Sequence, residues 1–475
     1  MNRGRGSYYN ENNGTSTYPL QGEDIHLNEK ARLQQPVKLQ PAWEENNLPE
    51  DELNFKNLTM EAPVDKFNLI FVTFLIHGIG ILMPWNMFIN AIEYFTNYKL
   101  SREYVGMDFP YVPTFMQYMT FCAQVPAVVL NWTNIFVQMG GNLTTRIVWS
   151  IGISILVFII TVILAMADTS GVPYLFFWLT LILVVILNSA NGVYQNTIYG
   201  MAAKLPGKYT GAVILGNNIS GTFTAAVSLL SKISTPNLKM AAIYYFISAL
   251  FVLLICFDTY FALPLNRYYR FYDLKHQKEK TQAAISAGGS EKPPYLKIFK
   301  QAFPQLANVF LVFFITLAVF PAVQSGIEQS DPNFFIDKSV YVDVMCFMTF
   351  NVFAMIGSLL PSYFIWPSAK YLWIPITARF LFIPLFLFCN YQVKGITRVF
   401  PLLILNDYVY FIIAALMALS SGYLSSLAMM YAPRTVEERY APTAGMFAAA
   451  ALITGIFSGI LLAFIWPWVI GHIGA

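Results

Sequence analysis

The chain has 475 residues, 56% of them hydrophobic and only 12% charged, with a net charge of +3 at neutral pH. Such a composition excludes an ordinary water-soluble domain, in which about a quarter of residues carry charge, and the small net charge gives no argument for a nucleic-acid partner. Forty Phe, 28 Tyr and 9 Trp exceed the needs of a soluble core and suit helices that face acyl chains and anchor at the interfaces.

Residues 1–66 are rich in Asn, Glu, Gln, Tyr and Pro without sustained apolar periodicity, which predicts a disordered cytoplasmic tail. Eleven apolar segments follow, near 68–93, 113–137, 147–167, 174–200, 210–231, 241–264, 305–327, 340–364, 372–391, 407–431 and 443–471. About 20 helical residues are needed to cross a hydrocarbon core of roughly 30 Å. Since an exposed backbone amide is costly in lipid, each segment is expected to be a helix. The N-terminus lacks the basic cap, short apolar core and cleavage site of a signal peptide, so the first helix is expected to act as an uncleaved insertion signal. All four cysteines, Cys122, Cys256, Cys346 and Cys389, fall in apolar runs and are read as small buried hydrophobes.

Lys and Arg are retained on the cytoplasmic side during insertion. With the N-terminus inside, the inner loops and the end of the tail hold sixteen of them and the outer loops seven, which predicts a cytoplasmic N-terminus and an extracellular C-terminus. The inner loop 266–304 contains RYYRFYDLKHQKEK and then AISAGGSEKPP, a basic amphipathic stub followed by a flexible linker. It divides the chain into a six-helix bundle at 67–265 and a five-helix bundle at 305–475. That 6+5 organisation suggests a major-facilitator-like fold with a solute site between the halves at mid-membrane.

Polar side chains inside spans mark function unless they find partners. In the first helix, Pro84 removes a backbone hydrogen bond beside Trp85 and Asn86, and Trp85 and Ile89 share a face. An indole next to an amide suits a planar polar ring, and a packed proline kink is the alternative. The fourth helix carries Asn188, Asn191 and Gln195 at spacings of three and four, amides that read a nucleobase or a sugar without burying a charge, or that join helices. Gln124, Asn217 and Asn218 extend the same lining. His77 is read as a packing histidine. Asp258, Arg379 and Asp407 lie near segment ends and are expected to snorkel, which leaves Asp343 as the one acid facing a pathway. There is no acid cluster for sodium, no acid–His relay, no Walker loop and no HExxH, GxSxG or CxxC motif. The expectation is a passive carrier, not an enzyme, with no cofactor and no metal. The small-residue runs of the last two helices allow the close approach that sliding requires.

The motifs MPWNMFINAIEYF, PGKYTGAVILGNNISG, FPAV, FNVFAMIGS, ARFLFIPLFLFCN, and GYLSSL followed by TAG occur in this order, and over residues 66–475 the chain resembles the equilibrative nucleoside transporter family. The resemblance implies an all-α membrane fold of eleven helices in pseudo-symmetric 6+5 bundles, and sodium-independent exchange of nucleosides or nucleobases. It implies a pocket lined by Leu82, Trp85, Asn86 and Ile89, by Gln124 and Ala127, by Asn191 and Gln195, and from the second half by Phe320, Phe347, Asn351 and Ile456.

One departure stands out. The family's FNxFDxxGR element has an acid and an arginine that face the sugar hydroxyls, and here those positions hold Ala354 and Ser358. Removing both charges strands neither, so the fold is expected to survive while ribose recognition changes. Three readings follow: a facilitative nucleoside carrier at the plasma membrane; a carrier of nucleobases or other small aromatic solutes; and a transport-silent scaffold or receptor. An endolysosomal membrane is the alternative location. The expected partners are a small solute and the lipid bilayer; the sequence specifies no oligomeric state.

Overall fold

A segment in hydrocarbon must satisfy its own amides, and the computed structural model meets that demand with helix almost throughout. It describes residues 63–137, 143–234, 237–286, 293–393 and 396–473; the tail up to residue 62 and the middle of the inner loop lie outside the described residues. Six long helices form the first half: α1 (Leu69–Asn90), α2 (Phe115–Val137), α3 (Leu143–Met166), α4 (Pro173–Ala202), α5 (Lys208–Ser234) and α6 (Leu238–Ala262). A polar helix, α7 (Arg267–Ser286), follows. The second half holds α8 (Tyr295–Val319), α9 (Thr349–Leu359) continuing a π-helical stretch Asp343–Met348, the short pair α10 (Trp373–Ala378) and α11 (Phe382–Leu387), then α12 (Asp407–Tyr431), α13 (Ala441–Ala463) and α14 (Trp466–His472).

Among the described residues, ten helical stretches are long and apolar enough to cross a membrane, and the shorter Trp373–Leu387 makes an eleventh element. Two boundaries differ from expectation. The seventh span begins at Tyr295, not at 305, because the helix runs through Pro304. The ninth is broken by a 3-10 turn at Arg379–Leu381, between Pro375 and Pro384, each of which removes a helical donor. The chain beyond it, 388–404, folds back as a loop, where the Arg398 guanidinium donates to the carbonyls of Leu387, Cys389, Tyr391, Phe400 and Pro401 at 2.8–2.9 Å.

Asp407 does not snorkel as expected. It is buried, and its carboxylate accepts from the backbone N–H of Ser330 and Asp331 and from the Tyr341 hydroxyl at 2.7 Å. Asp258 is exposed at its helix end. Cys256, Cys346 and Cys389 are buried and Cys122 is half-buried, all as free thiols. The first helix stays helical through Pro84 as far as Asn90. His77 is fully buried, with Nδ1 2.7 Å from the Tyr194 hydroxyl and Nε2 without a hydrogen-bond partner among the described residues.

Close backbone approach sets the helix pairs. A Cβ on Gly78 of α1 would sit 2.2 Å from the carbonyl oxygen of Val213, and one on Gly216 of α5 would sit 2.1 Å from that of Leu75. The second half repeats the device between α9 and α12, where Gly422 faces the Ala354 carbonyl and Gly357 faces that of Leu419. Since the obstructing atoms are backbone, a side chain there forces helices apart. Gly216→Val is expected to lower stability by about 1–3 kcal/mol, the usual range for overpacking, read as a lower Tm of the detergent-purified protein, while a conservative change at lipid-facing Leu156 leaves Tm unchanged.

Candidate functional site

Between the halves lies a cavity of about 950 Å³. All twelve residues expected at the site border it: Leu82, Trp85, Asn86 and Ile89 from α1, Gln124 and Ala127 from α2, Asn191 and Gln195 from α4, then Phe320, Phe347, Asn351 and Ile456. Asn188, Asn217 and Asn218 border it too. The helical spacing that puts Asn188, Asn191 and Gln195 on one stripe is what aims the amides inward.

The polar groups are held in place by neighbours. Asn86 donates from Nδ2 to the Ser220 hydroxyl at 3.2 Å, Asn217 to the Tyr199 hydroxyl at 3.2 Å, and Asn351 to the Phe347 carbonyl at 2.8 Å. The Gln124 Oε1 is buried without a hydrogen-bond partner, and Gln124 borders the cavity. An unmet acceptor at such a wall is a ready contact for a solute donor. Phe320 stacks on Phe350 with ring centres 3.7 Å apart and meets Phe347 edge-on at 6.0 Å. The lining thus combines side-chain amides with an aromatic cluster.

Ala354 and Ser358, where the family's pattern has an acid and an arginine, are buried, and their backbone packs on Gly422 of α12. Two expectations need correction. Asp343 does border the cavity, but it is not the only acid among the described residues to do so, because Glu93 lines it too. The second concerns Arg379, which does not snorkel. It is 2% exposed and hydrogen-bonded inside the second half, to Thr316, Ser420 and Met417.

The lining runs to Glu93, Leu238, Asp343 and Pro467 on the face opposite α7, and toward α7 it stops near Gln195. A seal that the sequence reading missed lies beyond. Asn196 donates from Nδ2 to Asn131 Oδ1 and to the Met446 carbonyl, both at 2.9 Å, and Asn134 donates to Asn196 Oδ1 at 2.8 Å. Trp132 donates to the Thr454 hydroxyl at 2.9 Å. These contacts join α2 and α4 of the first half to α13 of the second. Asn131 and Asn134, three apart in an apolar helix, were the available signal.

Nearer the α7 face, α7 touches both halves. Asp273 pairs with Lys204 at 2.8 Å, and Lys275 pairs with Glu438 at 2.7 Å. Partly exposed ion pairs contribute only about 0–1 kcal/mol each. The buried amide knot and the close α4–α13 contact, where Gly445 lies against Tyr199 and Ala203, therefore carry most of the seal.

Residues 181–468 match the family described as nucleoside transporter. The chain is 29% identical over 456 residues to human equilibrative nucleoside transporter 1, covering 86% of this chain and 99% of that one. It is 28% identical over 457 residues to human equilibrative nucleoside transporter 2, covering 86% and 98%. Among solved structures, a proton:xylose symporter of the major facilitator superfamily shares the fold at a TM-score of 0.52 and 11% identity, covering 86% of this chain and 89% of that one.

If the knot holds the α7 face shut, breaking it should admit water there. Asn196→Leu strips donors from Asn131 and from the Met446 carbonyl. In open membrane fragments that expose both faces, a cysteine placed at Met446 should then react several-fold faster with a charged thiol reagent than the same cysteine beside an intact Asn196; equal rates would mean the seal lies elsewhere.

Proposed function

We propose, from the premise that this chain belongs to the nucleoside transporter family, that it carries nucleosides across a membrane by facilitated, sodium-independent movement through the cavity between its halves. The observation that carries this reading is the convergence of twelve residues from both halves on one hollow, with a half-buried indole and several amides on its lining. An indole face and a Phe cluster give a planar base something to stack on, and side-chain amides give it directional donors and acceptors. Movement down a gradient fits a lining whose charged residues are confined to Glu93 and Asp343 at one mouth.

The positive-inside count places α7 in the cytoplasm, so the cavity mouth faces outward and the amide knot is the inner gate. The halves 67–265 and 305–475 then rock about the site, opening the knot as the outer mouth closes. We assign the protein to the plasma membrane as a multi-pass protein, with its N-terminus inside and C-terminus outside.

A second reading has its own support. Ala354 and Ser358 stand where the family's pattern has an acid and an arginine, so neither charge of that sugar clamp is present, which favours solutes recognised through the base. Nucleobases therefore stand as the alternative cargo.

Radiolabelled uridine and adenosine uptake in cells lacking endogenous carriers tests the proposal. Uptake should exceed empty vector and persist when choline replaces sodium. Trp85→Ala should lower uptake efficiency about tenfold, matching the ~1.4 kcal/mol of one lost stacking contact. Uptake equal to vector for both solutes, in cells that display the protein, would refute the nucleoside reading, and competition by hypoxanthine but not uridine would move the assignment to nucleobases.

A further inference from the structure

One wall of the cavity is a single side chain deep. Met116 and Thr120 of α2, Ile460 of α13 and Phe464 just beyond it line the cavity, and the same four residues line a second hollow of about 180 Å³ on the outer surface of the molecule. Gln117, Phe121, Phe457 and Leu461 complete this groove. Phe121, Leu461 and Phe464 are exposed, and an exposed apolar side chain of a membrane span faces acyl chains.

The helix sequences account for the seam. Gly455 and Gly459 set the small face of α13 on α8, where added Cβ atoms would lie 2.5 Å from the carbonyl oxygens of Phe310 and Phe314, and the Trp466 indole donates to the Ala318 carbonyl. The helix therefore leans on α8 and leaves a bulky face, Phe457, Ile460 and Leu461, toward α2. On the side nearer α7 the two helices are tied, since Trp132 donates to Thr454 and Phe136 meets Phe447 edge-on at 6.1 Å. Thr120 stands twelve residues of helix, about 18 Å, from that tie. Among the described residues no hydrogen bond joins α2 to α13 on the mouth side of it; the rings of Phe121 and Phe464, parallel with centres 6.4 Å apart, meet there instead.

Gln124, whose acceptor is unpaired, lies one turn from Thr120 on the same stripe of α2, about 6 Å along the axis. A base held at Gln124 therefore has the seam beside it. The cavity is also at the upper end of the roughly 300–1,000 Å³ that drug-sized ligands fill, which is more than a nucleoside requires. An apolar extension of that base has two ways out. Through the mouth it passes Glu93 and Asp343 and stays near water; through the seam it passes Thr120, Ile460 and Phe464 into hydrocarbon, and removal of apolar surface from water favours the second.

We propose that the α2–α13 seam is a side subsite for an apolar tail, so that the protein binds nucleosides or bases carrying an alkyl or aryl chain on the base, with the polar ring in the cavity and the chain in the groove against the bilayer. This deepens the carrier reading and rests on it for the place of the ring, not for the groove.

Adenosine and hexyladenosine, with the chain on the 6-amino nitrogen, differ only in the tail. In the wild type, hexyladenosine should inhibit uridine uptake at about a tenfold lower concentration than adenosine, because several methylenes leave water. The double variant Phe121→Trp with Leu461→Trp fills the groove from both helices at positions that the cavity lining does not include, and it should remove that advantage while leaving the adenosine KM unchanged. A hexyladenosine carrying a diazirine near the end of its chain should label α2 at 116–121 or α13 at 457–464, and excess adenosine should suppress the labelling. Labelling at Glu93, Tyr94 or Tyr245 instead, or an advantage that survives in the double variant at the cell surface, overturns the proposal. So does a groove labelled only by a diazirine-bearing phosphatidylcholine, which would make it a seat for a bilayer acyl chain. Should the double variant fail to reach the membrane, the labelled positions in the wild type decide. If the wild type moves no nucleoside, groove labelling of the purified protein that adenosine or hypoxanthine suppresses upholds the subsite while the carrier reading falls; absence of labelling on both helices overturns the subsite whatever the uptake.

Discussion

Everything in this molecule follows from the cost of placing polar groups where water is scarce. Backbone amides meet that cost by forming helices, and side-chain amides meet it either by pairing with each other or by bordering a hollow. The structure does both within one turn of α4: Gln195 borders the cavity, and Asn196, the next residue and about 100° around the helix, ties α4 to α2 and α13. In the proposed transport cycle, site and gate are thus adjacent residues on two faces of one helix. Any shift of the second half that breaks the Asn196 bond to the Met446 carbonyl also moves the wall opposite Gln195.

The close glycine contacts give that shift its tracks. Gly78 with Gly216, and Gly357 with Gly422, hold helix pairs in close backbone contact within each half, as expected of pairs that would move together in the proposed cycle. The joints between halves include one such contact, Gly445 against the Tyr199 carbonyl, and add side-chain hydrogen bonds and partly exposed ion pairs on α7. Motion is expected where bonds are weak and exchangeable, which is between the halves.

Much of this was legible in the chain because lipid makes patterns conspicuous. Apolar runs gave the long spans, and amides at spacings of three and four in an apolar helix announced the α4 stripe without help from any relative. The second-half lining had no such signal. Phe320 and Phe347 stand among many aromatics, and only the resemblance to a family singled them out. Arg379 was misread because the segment 372–391 looked continuous, which put its arginine near a lipid-facing end; Pro375 and Pro384 break the helix and turn the guanidinium inward. Glu93 was passed over for a similar reason, since a residue at the end of an apolar run reads as interfacial, whereas the helical path turns at Ala91 and brings it to the cavity mouth. The amide knot escaped because Asn131 and Asn134 lie in an apolar helix where the pattern that drew notice was Gln124 alone.

The most direct measurement of the central claim is an experimental structure of the purified protein saturated with uridine. The account predicts density for a planar ring inside the cavity, within contact of Trp85 and Gln195 on one side and of the Phe320 and Phe347 rings on the other. Density bound anywhere else, or a structure in which these side chains point into lipid with no shared hollow, would contradict it.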